Sequence, residues 1–193
     1  MKELIAEFRA SITITLLLVV LCCGIYPAVV WGIAQTTFPA HANGSLVHVD
    51  GRTVGSSLIA QRFSGAAYFH PRPSAAGQGY DAASSGGTNL GPISGKLIGD
   101  VQSRVAAYRT ENGLPADARL PADAVMSSAS GLDPHISVRN AELQASRVAT
   151  ARGMSKEEVL SKVRARTEGR DLWVLGERRV NVLMLNLDLD GKL

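Results

Sequence analysis

Three serines, Ser127, Ser128 and Ser130, stand just ahead of Asp133, His135 and Ser137. Gln144 and Arg147 follow at helical spacing. A hydroxyl, an imidazole and a carboxylate are the parts of a nucleophilic triad, so a hydrolase is the first chemistry to weigh. No Gly-x-Ser-x-Gly elbow accompanies them, and neighbours within one loop rarely reach triad geometry. The same residues also read as a turn feeding a helix. Gly131 permits the turn, Asp133 and Ser137 can accept from free amides at a helix start, and Pro134 stiffens the approach. His135 is then pinned between them. Free amides at a helix start also suit an anion, a phosphate or carboxylate guest. A rigid edge against which a partner docks is the preferred reading.

Other chemistries find less material. His41, His48, His70 and His135 are scattered without metal-ligand spacing, and the two cysteines, Cys22 and Cys23, are adjacent inside an apolar run. Gly91-Pro92-Ile93-Ser94-Gly95-Lys96 approaches a phosphate-binding loop but is one residue short, with Leu97 where Ser or Thr would coordinate magnesium. No Asp-Lys-Thr-Gly phosphorylation sequence and no Thr-Val-Gly-Tyr-Gly filter occurs. The formal charge of +3 is spread along the chain, so no basic stripe marks a nucleic-acid partner.

The elements that must position these residues follow from periodicity. Residues 138–152 carry Val138, Ala141, Ala145, Val148 and Ala149 on one stripe, with Ser137 as cap and Gly153 as stop. Residues 156–167 begin with Ser155 and Glu158 at capping-box spacing. Residues 94–110 place Leu97 or Ile98, Val101, Val105 and Tyr108 together. Asp50-Gly51 between 46–49 and 52–54 predicts a hairpin, and Ser56 or Ser57 predicts a short helix ending near Gln61. "RRVNVLMLNLDLDG" alternates Leu183, Leu185, Leu187 and Leu189 and predicts a strand, joined by "LWVLG" at 172–176. Between them, residues 64–95 are rich in Gly, Ser, Ala and Pro; Tyr68, Phe69 and Tyr80 predict a loop that is packed down and functional.

The fold class is therefore α/β. A single N-terminal transmembrane helix leads into one small mixed α/β extracytoplasmic domain. Residues 12–34 contain no charge, and as a helix they span the ~30 Å hydrocarbon core. A cleaved signal peptide would have a shorter apolar run, and a lipoprotein signal would have small residues before its cysteine. A retained anchor is preferred. Lys2 and Arg9 precede the run and Arg52 is the next positive charge. That bias puts residues 1–11 in the cytoplasm and 35–193 outside, with Pro27 kinking the helix and Gly24 and Gly32 open to a partner helix.

Long blocks then resemble a known family: "NGSL", "VGSSLIAQRF", "YFHPRPSA", "YDAASSGGTNLGP", "SASGLDPHIS" and "GERRVNVLMLNLDLD" are similar to the C subunit of the Kdp potassium-transporting ATPase. Arg178 stands where proline is common in the family. The resemblance implies a non-pore accessory subunit in the bacterial inner membrane. Its implied partners are a potassium-conducting A subunit, an ATP-hydrolysing B subunit, a very small F subunit and membrane lipid. Potassium is then carried by the complex. A catalytic chaperone that raises the ATP affinity of the B subunit is also implied, with ATP as the only cofactor suggested and no catalytic motif of its own. Tyr68, Phe69, Arg72, Asn89, Asp133, His135, Gln144 and Arg147 are the candidates for the docking surface or its support. The alternatives are an anchored periplasmic hydrolase and a solute-binding module.

Overall fold

The computed structural model describes residues 1–193, apart from the side chain of Lys2. It divides into two units, Met1–Leu46 and Val47–Leu193.

The first unit is helical. Helix α1 (Lys2–Val19) runs through a π-helical turn (Val20–Ile25) into α2 (Tyr26–Thr37), and a short α3 (Pro39–Ala42) follows. The stretch Glu3–Thr37 is apolar and long enough to cross a bilayer, and none of its most apolar window is buried inside the protein. A kink is expected at Pro27, and a π turn stands just before it. Proline has no N–H and its ring crowds the carbonyl four residues back, here Cys23; the wider i→i+5 turn makes room for it.

Strands β1 (Leu46–Val49) and β2 (Arg52–Ser56) follow, β1 starting on the last residue of the first unit and belonging otherwise to the second. Both turn residues between them are left-handed, Asp50 at φ 50° and Gly51 at φ 75°, as a type I′ hairpin requires. No regular element interrupts residues 57–94. Helix α4 (Gly95–Glu111) follows, capped by Ser94 and burying Tyr108. A single 3-10 turn (Ala122–Ala124) then leads to β3 (His135–Ser137), α5 (Val138–Arg152) and α6 (Lys156–Ala165). Both helix starts form as their sequence spacing dictates. Ser137 Oγ accepts from Asn140 N–H, and Ser155 and Glu158 close a complete capping box. Gly153 ends α5 at φ 65°.

Strand β5 (Arg179–Asn181) lies between β3 and β4 (Thr167–Glu168), antiparallel to both, with Ile136 opposite Val180 and Thr167 opposite Val180 from the other side. Small residues of α5, among them Ala141, Ala145 and Val148, meet Val159 and Val163 of α6 and Val180 of β5 in the main core.

Three expectations are corrected. The strand predicted over the C-terminal run stops at Asn181, and Val182–Leu189 forms helix α7. Six of its eight residues are buried, so the alternation of leucines carried no facing information: a segment buried on almost every side is apolar at nearly every position. Asn181 starts the helix by accepting from Met184 N–H. "LWVLG" is no core strand; Asp171 and Leu175 close a tight exposed turn. No helix follows Ser56, whose hydroxyl accepts from Leu58 N–H in a local turn.

Candidate functional site

The long loop is held by side chains in the way a strand is held by a sheet. Asn186 of α7 accepts from Phe69 N–H at 2.8 Å and donates to Phe69 C=O at 3.0 Å. Gln144 of α5 does the same for His70, accepting at 2.8 Å and donating at 3.1 Å. Phe69 itself is fully buried in the main core. Arg147 donates to the carbonyls of Ala66 and Tyr68, and also to Gln144 Oε1 and Asn112 Oδ1. Arg152 donates to Ala67 C=O at 2.6 Å and pairs with Asp190 at 2.8 Å, its guanidinium over the Tyr68 ring. Tyr68 Oη donates to the same Asp190. Buried backbone groups need partners, and residues 66–70 find theirs on two helices instead of a neighbouring strand.

Behind this clamp runs a chain of buried amides. Asn140 donates to Asp123 Oδ2 at 2.9 Å, while its Oδ1 accepts from Tyr108 Oη at 2.7 Å and from Gln144 Nε2 at 2.9 Å. Burial first, and then the Asp123 charge, push the Tyr108 phenol well above its ordinary range, so it stays a donor.

The segment around Asp133 forms a second cluster. Arg72, carried by the loop, pairs with Asp133 Oδ2 at 2.9 Å, and His135 N–H donates to Asp133 Oδ1 at 3.0 Å. Burial alone would raise Asp133; hydrogen bonds from the His135 ring, its N–H and Arg72 outweigh it and hold the carboxyl down to about 2. The His135 ring lies between two carboxylates, Nδ1 at 3.5 Å from Asp133 and Nε2 at 3.5 Å from Glu168. Glu168 is also held by Arg179 at 2.9 Å. Arg72, Asp133, His135 and Arg179 border an open cleft of about 270 Å³ with Ser137 and Arg178.

The loop is clipped to the same segment through Gly131, at φ 68°. Ser74 Oγ donates to Gly131 C=O at 2.6 Å, and Gly86 N–H donates to Ser130 C=O at 2.9 Å. The neighbouring serines serve the turn. Ser130 Oγ accepts from Leu132 N–H, and Ser128 Oγ accepts from Asp133 N–H. His135 Nε2, the nitrogen a triad would aim at a hydroxyl, faces Glu168 instead. Among the described residues no three His, Cys, Asp or Glu side chains converge as a metal set.

The structure thus gathers Tyr68, Phe69, Gln144 and Arg147 in the clamp, and Arg72, Asp133 and His135 in the second cluster, with the loop joining the two. Asn89 stands apart, exposed and left-handed at φ 52°. Sequence reasoning missed Asn140, Asn186, Asp123 and Arg152. Asn140 had a readable signal: with Gln144 and Arg147 it makes an i, i+4, i+7 polar line on an otherwise apolar helix face.

The model of the family described as "K+-transporting ATPase, c chain" matches residues 8–191. The chain belongs to the KdpC family. Among its relatives is the potassium-transporting ATPase KdpC subunit of Mycobacterium tuberculosis strain H37Rv, 53% identical across 95% of this chain and 97% of the relative. The KdpC subunit of Nitratidesulfovibrio vulgaris is 54% identical over 95% and 93%, and that of Koribacter versatilis 50% over 94% and 92%. A KdpC-family chain is a subunit of a potassium-transporting ATPase, so this one serves potassium transport as an accessory chain, and it carries a single candidate membrane helix.

Proposed function

We propose that the chain is the non-pore C subunit of a high-affinity, ATP-driven potassium uptake complex. It joins a potassium-conducting A subunit to an ATP-hydrolysing B subunit, with the small F subunit alongside. Its N-terminus lies in the cytoplasm, Glu3–Thr37 holds it in the inner membrane, and the unit Val47–Leu193 lies on the periplasmic side. The observation that carries this reading is the match over residues 8–191, which takes in both the apolar helix and the folded unit. The charge pattern supports the orientation: Lys2 and Arg9 precede the apolar run and Arg52 is the next positive charge.

Within that reading, Arg72, Asp133 and His135 form the docking edge, Asn89 is a separate exposed contact on the same loop, and Tyr68, Phe69, Gln144 and Arg147 support the edge from beneath. The partly exposed ion pair and the open cleft favour a polar partner surface. By docking, the subunit raises the affinity of the B subunit for ATP.

The test is a detergent pull-down with potassium-limited growth as the second readout. A tagged chain should retain the larger subunits, and a deletion strain should fail to grow at low potassium. Protease added to spheroplasts should digest the C-terminal unit. In the purified complex, Asp133→Ala together with Arg72→Ala should weaken retention of the A subunit, and loss of the chain should raise the KM for ATP. An unchanged KM without the chain removes the chaperone role.

A further inference from the structure

The turn at 171–176 has no place in the site above, and its surface is unusual. Four consecutive apolar side chains lie at its tip, Leu172 (77% exposed), Trp173 (93%), Val174 (72%) and Leu175 (56%). The turn is built to present them. Asp171 N–H donates to Leu175 C=O at 2.9 Å, and Leu175 N–H donates back to Asp171 C=O at 2.8 Å. Leu172 and Trp173 are held left-handed, at φ 49° and 70°, a conformation that bulky residues adopt only when their surroundings impose it. At the base, Arg179 donates to both Asp171 oxygens, and Arg170 donates to both Glu177 oxygens. The exposed apolar residues thus sit on a braced stalk. Exposed patches of this kind mark interaction sites.

We infer that this turn is a lipid-inserting wedge that seats the folded unit on the bilayer surface. Three observations favour lipid over a protein groove. All four side chains are more than half exposed, so no side of the turn is reserved for its own domain, and a fluid apolar phase receives such a tip more readily than a groove of fixed shape. At the base Arg170 and Arg179 are neutralised by Glu177 and Asp171, while Arg178 is exposed with no ion pair among the described residues, a free cation that suits an anionic headgroup. Tryptophan is also the side chain favoured where apolar and wet phases meet. The third observation is chain length. Eight residues separate Thr37 from β1, a reach of at most about 30 Å even fully extended, so an anchored chain keeps this domain beside a membrane. The inference rests on the reading of Glu3–Thr37 as a membrane anchor.

The chain has two tryptophans, Trp31 and Trp173, and so can test both readings separately. Full-length Trp31→Phe and Trp173→Phe variants are reconstituted in phosphatidylethanolamine–phosphatidylglycerol vesicles, with or without bromine on the acyl chains. In Trp173→Phe, quenching of Trp31 by the brominated lipid reports the anchor. In Trp31→Phe, the wedge predicts that Trp173 is quenched by brominated lipid and shielded from aqueous iodide. Adding Leu172→Asp and Val174→Asp should then restore iodide access without unfolding the chain. A Trp173 open to iodide, with Trp31 still quenched by lipid, overturns the wedge and leaves the anchor standing. A Trp173 shielded from iodide only when the larger subunits are present, and never quenched by lipid, also overturns it and assigns the turn to a protein interface. Loss of lipid quenching at Trp31 overturns the anchor and the wedge together.

Discussion

A single side-chain amide, Asn186, satisfies both backbone groups of Phe69 at a point from which water is excluded. Replacing it with leucine keeps the bulk and removes both partners, leaving a buried N–H and a buried C=O unpaired. Each unpaired group costs about 1–3 kcal/mol, so Asn186→Leu should lower stability by about 2–6 kcal/mol in a urea titration of the full chain. Tyr68→Phe removes one partly exposed bond to Asp190 and should cost no more than about 1 kcal/mol. Asp133 adds a pH dependence whose sign follows from its lowered folded pKa of about 2, against an ordinary value of 3.8. The stability it contributes is present above about 3.8 and is lost as pH falls through about 2. Asp133→Asn should therefore destabilise the chain at neutral pH, and its difference from the parent should close on acidification through that window; a difference independent of pH would contradict the assignment. Gly131→Ala belongs to the same scale. Its Cβ would lie 2.6 Å from Ala76 N and from Gly86 O, both backbone, at a φ that L side chains rarely adopt, so the loop clip should open. Of these residues, Gly131, Asp133, Gln144 and Arg147 were legible in the sequence, because turn chemistry and polar residues on an apolar face announce themselves. Asn186 was not, because it lies in a run where every second residue is leucine and an asparagine passes for a solvent-facing strand position.

Elements were legible where their ends carry chemistry. Ser137, Gly153 and the Ser155–Glu158 pair mark helix ends by local hydrogen bonding, which needs no tertiary knowledge, and α5 and the start of α6 lie where they indicate. The C-terminal run had no such marker that outranked its alternation. Its strand-to-helix change at Asn181 is decided by burial on nearly all sides, which a sequence does not display. Helix α5 also has a second cap that sequence does not announce. Asp123, from the 3-10 turn, accepts from Ser137 N–H and Ser137 Oγ at 2.8 Å and from Asn140 Nδ2 at 2.9 Å. It thus places a negative charge at the helix N-terminus, where the dipole favours one. Ser137→Ala should cost about 1 kcal/mol, the usual value of a cap. Asp123→Ala removes three bonds around the same helix start and should cost more, about 2–4 kcal/mol. The pair also tests whether the amide chain acts as one unit. Asp123→Ala and Gln144→Ala touch opposite ends of Asn140, and their combined cost should fall short of the sum, as coupled networks show. Strict additivity in denaturation would mean that the two ends hold the loop independently.

At the scale of the whole chain, the two units bury apolar surface by different means. The folded unit has its own core, from Phe69 on the loop to Leu185 on α7, and its size is that of an ordinary domain. The helical unit leaves Leu16, Val20, Ile25 and Trp31 open, which is tenable in lipid and costly in water. A chain beginning at residue 44, ahead of the hairpin, should therefore melt cooperatively at nearly the full chain's temperature. On the proposed topology, the same chain exported to the periplasm should still fail to restore growth on low potassium, because it would lack the anchor that confines it beside the proposed partner subunits. Restoring confinement with an unrelated single-pass helix then separates tethering from recognition. Gly24 and Gly32 have open space where a Cβ would stand, and the π turn before Pro27 gives this helix a shape that a generic span lacks. The foreign helix should accordingly recover only part of the complex. Gly24→Leu and Gly32→Leu in the native helix should likewise lower the yield of assembled complex while leaving the melt of the folded unit unchanged. Full recovery with the foreign helix would make the anchor a tether alone and leave all recognition to the folded unit.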